Sequence, residues 1–327
     1  MNGGGVYLRT YMAPLSPWLD RGDITDIMVN RPGEVWIENA SGVERIEAPA
    51  ITELMLQRLA QQIAASSSQG VSREHPLLSA TLPDGARVQL AGPPATRGTI
   101  ALAIRKHVVP DLTLEDYEAA GAFNPVDRAL EPSRCDIDAR LDELLQAGDL
   151  RAFFALAVRA RRNIVISGGT ASGKTTFLNA LLKETPETDR IIVIEDTAEI
   201  SLTQPNSVGL VAVKSELGES QVGVDDLLRA SLRMRPDRLL VGEIRGAEAF
   251  TFLRAVNTGH PGSFTTVHAD SPEGALEQIA FMSLQSGLSL TRSDIRDYAR
   301  SVLDIVVQLT RTNGRRMVER VVINRRA

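Results

Sequence analysis

The stretch Asn163-Ile-Val-Ile-Ser-Gly-Gly-Thr-Ala-Ser-Gly-Lys-Thr-Thr-Phe-Leu-Asn-Ala-Leu-Leu182 decides the fold. A short apolar, β-branched run ends at Ser167, a loop carrying Gly168, Gly169 and Gly173 follows, and an apolar-periodic helix opens at about Lys174. Gly168-x4-Gly173-Lys174-Thr175 is the phosphate-binding loop pattern in its required strand–loop–helix setting. The glycines let the backbone turn so that successive N–H groups point inward at a polyphosphate, and the positive end of the helix adds to that field. Residues Gly168, Gly169, Thr170, Ala171, Ser172, Gly173, Lys174, Thr175 and Thr176 are thus the expected nucleotide contacts. Lys174 would reach the β- and γ-phosphates, and the Thr175 hydroxyl would hold Mg²⁺.

Downstream of the loop helix, strand and helix alternate. Ile191–Ile194, Arg238–Gly242 and Ser263–Val267 read as strands; Val224–Met234, Ala247–Asn257 and Pro272–Leu284 read as helices. That alternation predicts an α/β unit with a mostly parallel sheet covered on both faces. Near the end, Leu303–Leu309 and Met317–Ile323 flank Thr312-Asn313-Gly314-Arg315, an Asn-Gly hairpin signal. Upstream, Asp138–Ala147 and Leu150–Arg161 read as amphipathic helices leading into the loop.

Residues 1–108 read as a smaller α+β domain. A short helix precedes Ile24–Val29 and Glu34–Glu38, which alternate around the turn cluster Asn30-Arg31-Pro32-Gly33. Ile51–Ala64 has helical spacing, and Leu82–Leu90 and Thr99–Arg105 supply further strands. Residues 109–138, with three prolines, an acidic helix over Leu114–Ala120 and no sustained apolar pattern, read as the linker to a C-terminal domain of 139–327.

Hydrolysis needs an acid to hold metal and a group to position water, and three stretches supply candidates. The strand Ile191–Ile194 delivers Glu195 and Asp196 at its C-terminal end, where ligands bind in open α/β sheets. Arg238-Leu-Leu-Val-Gly-Glu243 is an apolar strand ending in an acid, Glu243, where the commoner residue is Asp. Gly259-His260-Pro-Gly-Ser-Phe-Thr-Thr-Val-His268-Ala-Asp270 places two of the chain's four histidines around one short strand. No metal-ligand spacing and no nucleophile elbow stand out.

At 327 residues, 43% hydrophobic and 24% charged, the chain suits a globular protein of two domains. The single cysteine, Cys135, excludes a disulfide framework and a four-cysteine zinc module, and points to a reducing compartment. No apolar run reaches the ~18–20 residues of a spanning helix, and the N-terminus lacks a signal-peptide layout, so a cytoplasmic location is expected. The net charge of −5 argues against generic nucleic-acid binding. Residues 1–138 carry 12 Lys+Arg against 18 Asp+Glu, whereas Arg315 to Arg326 holds five arginines and one glutamate. That basic tail is either a solvated end or a docking surface for an anionic membrane or partner.

Together, Gly168–Thr175, Ile194-Glu-Asp-Thr-Ala-Glu199, Leu232–Arg245 and Asn257–Asp270 resemble, in order, the Walker A, Asp box, Walker B and His box of the secretion-ATPase superfamily. Thr-Gly-His-Pro-Gly followed by His-Ala-Asp-Ser-Pro looks most like the type IV secretion traffic ATPases. The resemblance implies a RecA-like C-terminal domain and a homohexameric ATPase, peripheral at the cytoplasmic face of the inner membrane. It also implies channel components as partners and ATP with Mg²⁺ between the two domains of a chain. By that resemblance Glu195 polarises water, Glu243 acts on Mg²⁺ through water, His268 senses the γ-phosphate and His260 supports it. Which acid is the base stays open. Arg87 and Arg105 stand where the family's N-terminal arginines reach the phosphates. Two alternatives share these motifs: a pilus-assembly or DNA-uptake motor, and a nucleotide-gated scaffold with little turnover.

Overall fold

The computed structural model of the chain describes residues 4–106, 113–119, 121–123, 134–213, 219–287 and 289–325. Half of the expected linker, 109–138, lies outside these residues. The N-terminal part contains α1 (Gly4–Met12), a 3₁₀ turn (Ala13–Leu15), α2 (Ser16–Leu19), β1 (Ile24–Val29), β2 (Gly33–Asn39), β3 (Gly42–Ala48), α3 (Glu53–Ser66), β4 (Leu77–Thr81), β5 (Arg87–Ala91) and β6 (Ala101–Arg105). Short α4 (Leu114–Ala119) follows. The C-terminal part runs α5 (Arg134–Gln146), α6 (Leu150–Arg159), β7 (Ile164–Gly168), α7 (Lys174–Leu182), β8 (Ile191–Glu195), β9 (Ser207–Val211), α8 (Val224–Ser231), β10 (Arg238–Val241), α9 (Glu248–Asn257), β11 (Phe264–Val267), α10 (Pro272–Leu284), α11 (Arg292–Val302), β12 (Ile305–Thr312) and β13 (Arg315–Ile323).

The six N-terminal strands form an antiparallel sheet in the order β3-β2-β1-β6-β5-β4. Its side chains alternate between two cores, as the pleat requires. Ile27, Val29, Val35, Ile37, Val88, Leu90, Leu102 and Ile104 pack with α1 and α3. Met28, Trp36, Ala91, Ala101 and Ala103 join a core that also holds Val208 and Leu210 of β9 and Leu227 and Leu228 of α8. Three alanines on that second face let the N-terminal sheet lie close against the C-terminal part. Polar contacts tie the same interface: Arg190 Nη1 donates to Asn30 Oδ1 at 2.7 Å, Asn30 Nδ2 to Asn206 Oδ1 at 3.0 Å, and Arg235 pairs with Glu38.

The C-terminal sheet has seven strands in the order β13-β12-β7-β11-β10-β8-β9. From β12 to β9 every pairing is parallel, and only β13 is antiparallel, joined to β12 through the predicted Asn313-Gly314 turn. All C-terminal ends of the parallel strands therefore face one edge. β7, β8, β10 and β11 are buried along their whole length, which accounts for their unbroken apolar reading.

Strands β3, β4 and β9 do not stand out in the sequence because each lies at a sheet edge, and β3 is largely exposed. Helix α11 is likewise too polar for an apolar-period reading; a capping box between Thr291 and Asp294 sets its start. Arg320 pairs with Glu273 at 3.0 Å, Arg325 pairs with Asp142, and Arg316 reaches the cleft described below. No helix among the described residues is long and apolar enough to cross a membrane.

One buried charge pair underlies the sheet. Arg238, fully buried, donates from Nε to Asp189 Oδ2 at 2.6 Å and from Nη1 to Val158 O at 2.9 Å, while Arg161 Nη2 reaches Asp189 Oδ1 at 2.6 Å. Asp189→Ala would remove the paired counter-charge of the buried Arg238 guanidinium. We expect it to cost about 3–5 kcal/mol, measured as a lowered urea midpoint at unchanged m-value.

Candidate active site

The chain makes a loop between β7 and α7 because glycine is required there twice. A Cβ on Gly168 would lie 2.4 Å from Ser172 Oγ and 2.8 Å from the Leu309 carbonyl. Gly173, the N-cap of α7, has φ +95° and gives no side-chain cap, so the first N–H groups of the helix are left for a ligand. Beside the loop opens a cleft of about 470 Å³ at the C-terminal strand edge, lined by 169–176, Glu195, Asp196, Glu243, Arg245, His268 and Arg316 among others.

Lys174 is 9% exposed. Its Nζ donates to Gly168 O at 3.0 Å and lies 3.4 Å from Gly169 O and 3.2 Å from His268 Nε2. Burial pulls its pKa below the usual lysine value; Glu243 opposes this, and Arg245 adds to it. His268 Nε2 sits 2.8 Å from Glu243 Oε1 and Nδ1 of the same ring lies 3.4 Å from Lys174 Nζ, so the ring stands between the ammonium and the carboxylate. The other oxygen of Glu243 accepts from Arg245 Nε at 2.8 Å, and Arg245 Nη1 reaches Asp196 Oδ2 at 2.9 Å. Glu195, buried at the end of β8, accepts on Oε1 from the N–H groups of Glu199 (3.0 Å) and Ile200 (2.8 Å), and its Oε2 pairs with Arg97.

The cleft suits a nucleotide with a divalent cation. Ser172 Oγ is buried without a hydrogen-bond partner, the helix N–H groups are uncapped, and a desolvated ammonium waits for an anion. The Thr175 hydroxyl and the Glu243 carboxylate on its walls are the hard oxygen donors Mg²⁺ prefers. Among the described residues there is no cluster of three or more His, Cys, Asp or Glu able to hold a metal without such help.

The structure thus gathers the loop, Glu195, Glu243 and His268. It does not gather three other expected residues. His260 precedes β11 at its N-terminal end, whereas His268 follows it; four residues of strand, ~13 Å, separate the two edges. There, His260 Nδ1 meets Pro236 O at 2.8 Å, and burial holds its pKa below the usual histidine value. Arg87 and Arg105 line a different cleft, about 550 Å³, with Asp26, Arg233 and Arg235. Arg105 Nε is 3.8 Å from Asp26, whose carboxyl is raised by burial more than that arginine lowers it. Expectation and structure differ because β5 and β6 pair side by side, Arg87 opposite Arg105, at one end of the sheet, while the opposite end of that pair leads into the segment that meets the C-terminal part.

Arg245 and Arg316 are additional basic groups on the cleft walls, and Arg97 pairs with Glu195, which lines the cleft. Arg245 carried a signal, being two residues from Glu243 in the same motif. Arg316 follows the hairpin turn, and its Cδ lies where a Cβ on Gly173 would be (2.8 Å). Arg97 carried none.

A family model described as "Type II/IV secretion system protein" matches residues 10–323. The type IV secretion system protein VirB11 of Bartonella quintana is 39% identical over 319 residues, 94% of this chain and 90% of its own. VirB11 of Brucella suis is 42% identical over 306 residues, 91% and 84% of the two chains. The crystal structure of the VirB11 ATPase from the Brucella suis type IV secretion system, in complex with sulphate, superposes with a TM-score of 0.90 at 38% identity, covering 98% of this chain and 95% of that one. The chain belongs to the type II/IV secretion system protein family, among its type IV secretion traffic ATPases.

Proposed function

We propose that the chain hydrolyses ATP in a homohexameric ring, docked peripherally on channel components at the inner face of the inner membrane, and so energises a type IV secretion apparatus. The observation that carries this reading is the convergence of the phosphate loop, Glu195, Glu243 and His268 on one cleft. The loop N–H groups and Lys174 bind and orient the phosphates. Glu195 accepts the proton of the attacking water. Glu243, with Thr175, would hold Mg²⁺, which when bound supplies charge neutralisation on the phosphates. His268, between Lys174 and Glu243, links phosphate binding to the second acid.

Arg87 and Arg105 belong to this scheme through a neighbour. Each faces a cleft separate from its own chain's loop, and in a ring of head-to-tail contacts that surface is available to the next chain's nucleotide. An arginine there stabilises charge developing on the transferred phosphoryl group.

Complementation tests the ring and the arginines together. Phosphate release per chain is expected to rise with protein concentration. Arg105→Ala and Lys174→Ala chains, each slow alone, are expected to release phosphate faster when mixed, because some sites then combine an intact loop with an intact neighbouring arginine. Activity per chain independent of concentration, with no gain on mixing, would refute the arrangement.

A further inference from the structure

Residues 95–97 of the N-terminal part add themselves to the free edge of the C-terminal sheet. Thr96 forms an antiparallel bridge with Leu210 of β9, Arg97 N donates to Gly209 O at 3.0 Å, and Val211 N donates to Ala95 O at 2.9 Å. Thr96 Oγ1 also donates to Gly98 O (3.2 Å) and Thr99 O (3.0 Å), fixing the turn. The Arg97 side chain then crosses β9 directly over Gly209. A Cβ at that glycine would lie 2.6 Å from Arg97 Cδ, so the absence of a side chain is what opens the path. Beyond it, Nη1 donates to Ile200 O at 2.6 Å and the guanidinium pairs with Glu195 Oε2. The side chains of the pair are 20% and 3% exposed.

A carboxylate this deeply buried needs a counter-charge to stay ionised, and only the ionised form can take a proton from water. It also needs a fixed orientation. An ionised carboxylate offers about four acceptor sites; on Glu195 the N–H groups of Glu199 and Ile200 fill Oε1, and Oε2 faces the Arg97 guanidinium as an ion pair. Oε2 keeps acceptor capacity for a water in the cleft that Glu195 lines. Arg245 and His268, the nearby basic groups, pair with the neighbouring acid Glu243, whereas Arg97 pairs with Glu195.

We propose that Arg97 is a positioning residue for Glu195, delivered across the domain interface by the 95–97 bridge, so that the hydrolytic acid is competent only while the N-terminal part is docked on β9. This rests on the reading of Glu195 as the acid that activates water.

The test is steady-state hydrolysis by the full-length chain. Arg97→Ala should lower kcat roughly 10- to 100-fold, less than the ~10²–10⁴ lost with the positioned base itself, with little change in KM for ATP. Arg97→Lys should restore part of it. Gly209→Ala, which keeps Arg97 but blocks its path, should lower kcat in the same direction. The double variant Arg97→Ala/Glu195→Gln should be no slower than Glu195→Gln alone, since Arg97 acts only through that carboxylate. A wild-type kcat in Arg97→Ala beside an inactive Glu195→Gln overturns the assignment of Arg97 alone. Losses that multiply in the double variant also overturn it, as they indicate general structural damage. A fully active Glu195→Gln overturns both this inference and the role of Glu195 on which it rests.

Discussion

Lys174→Ala is expected to abolish nearly all ATP turnover while leaving the fold intact. The loss should be roughly 10²–10³-fold in kcat/KM, the scale on which one preorganised donor acts at developing charge. In the nucleotide-free chain the Lys174 ammonium is held by two loop carbonyls in a buried setting, with its pKa pulled down by that burial. A folded-state pKa below the unfolded value means that the charge opposes folding, fully below the folded pKa and not above the unfolded one. The alanine variant should therefore melt no lower than wild type without nucleotide. What it should lose is the rise in melting temperature that added ATP gives, because only the native state binds nucleotide. Thermal melts with and without ATP, beside phosphate release, check both halves. Wild-type turnover in the variant would remove the loop from the chemistry.

Glu195→Gln should separate binding from hydrolysis. Glutamine keeps the length of the side chain and a carbonyl oxygen for the Glu199 and Ile200 N–H groups, but it cannot accept a proton from water. Turnover is expected to fall roughly 10²–10⁴-fold with ATP affinity little changed, read by single-turnover kinetics and equilibrium binding. The same variant divides a motor from a nucleotide-gated scaffold. A scaffold needs ATP bound, not split, and would still support secretion; a motor would stop. Normal secretion by a non-hydrolysing Glu195→Gln chain would overturn the motor reading.

The sequence by itself determined what depends on neighbours along the chain. The run 163–182 contains its own strand, its own glycines at positions a Cβ would block, and its own helix N-terminus, so the loop and the side chains that follow it are legible directly. Glu195, Glu243 and His268 were legible for a related reason: each stands just past an apolar strand, and parallel strands bring such positions to one edge. His260 looked equivalent because it lies in the same motif, but it precedes its strand rather than following it. Tertiary structure decided what depends on pairing between distant segments. Which arginine of the N-terminal part meets an acid of the cleft is set by the docking of 95–97 on β9, an edge strand too weakly patterned to stand out in the sequence. Arg87, Arg97 and Arg105 are indistinguishable as residues. Their roles differ because sheet pairing sends two of them to one cleft and a contact between segments distant in sequence, Thr96 over Leu210 with Arg97 crossing Gly209, sends the third to Glu195.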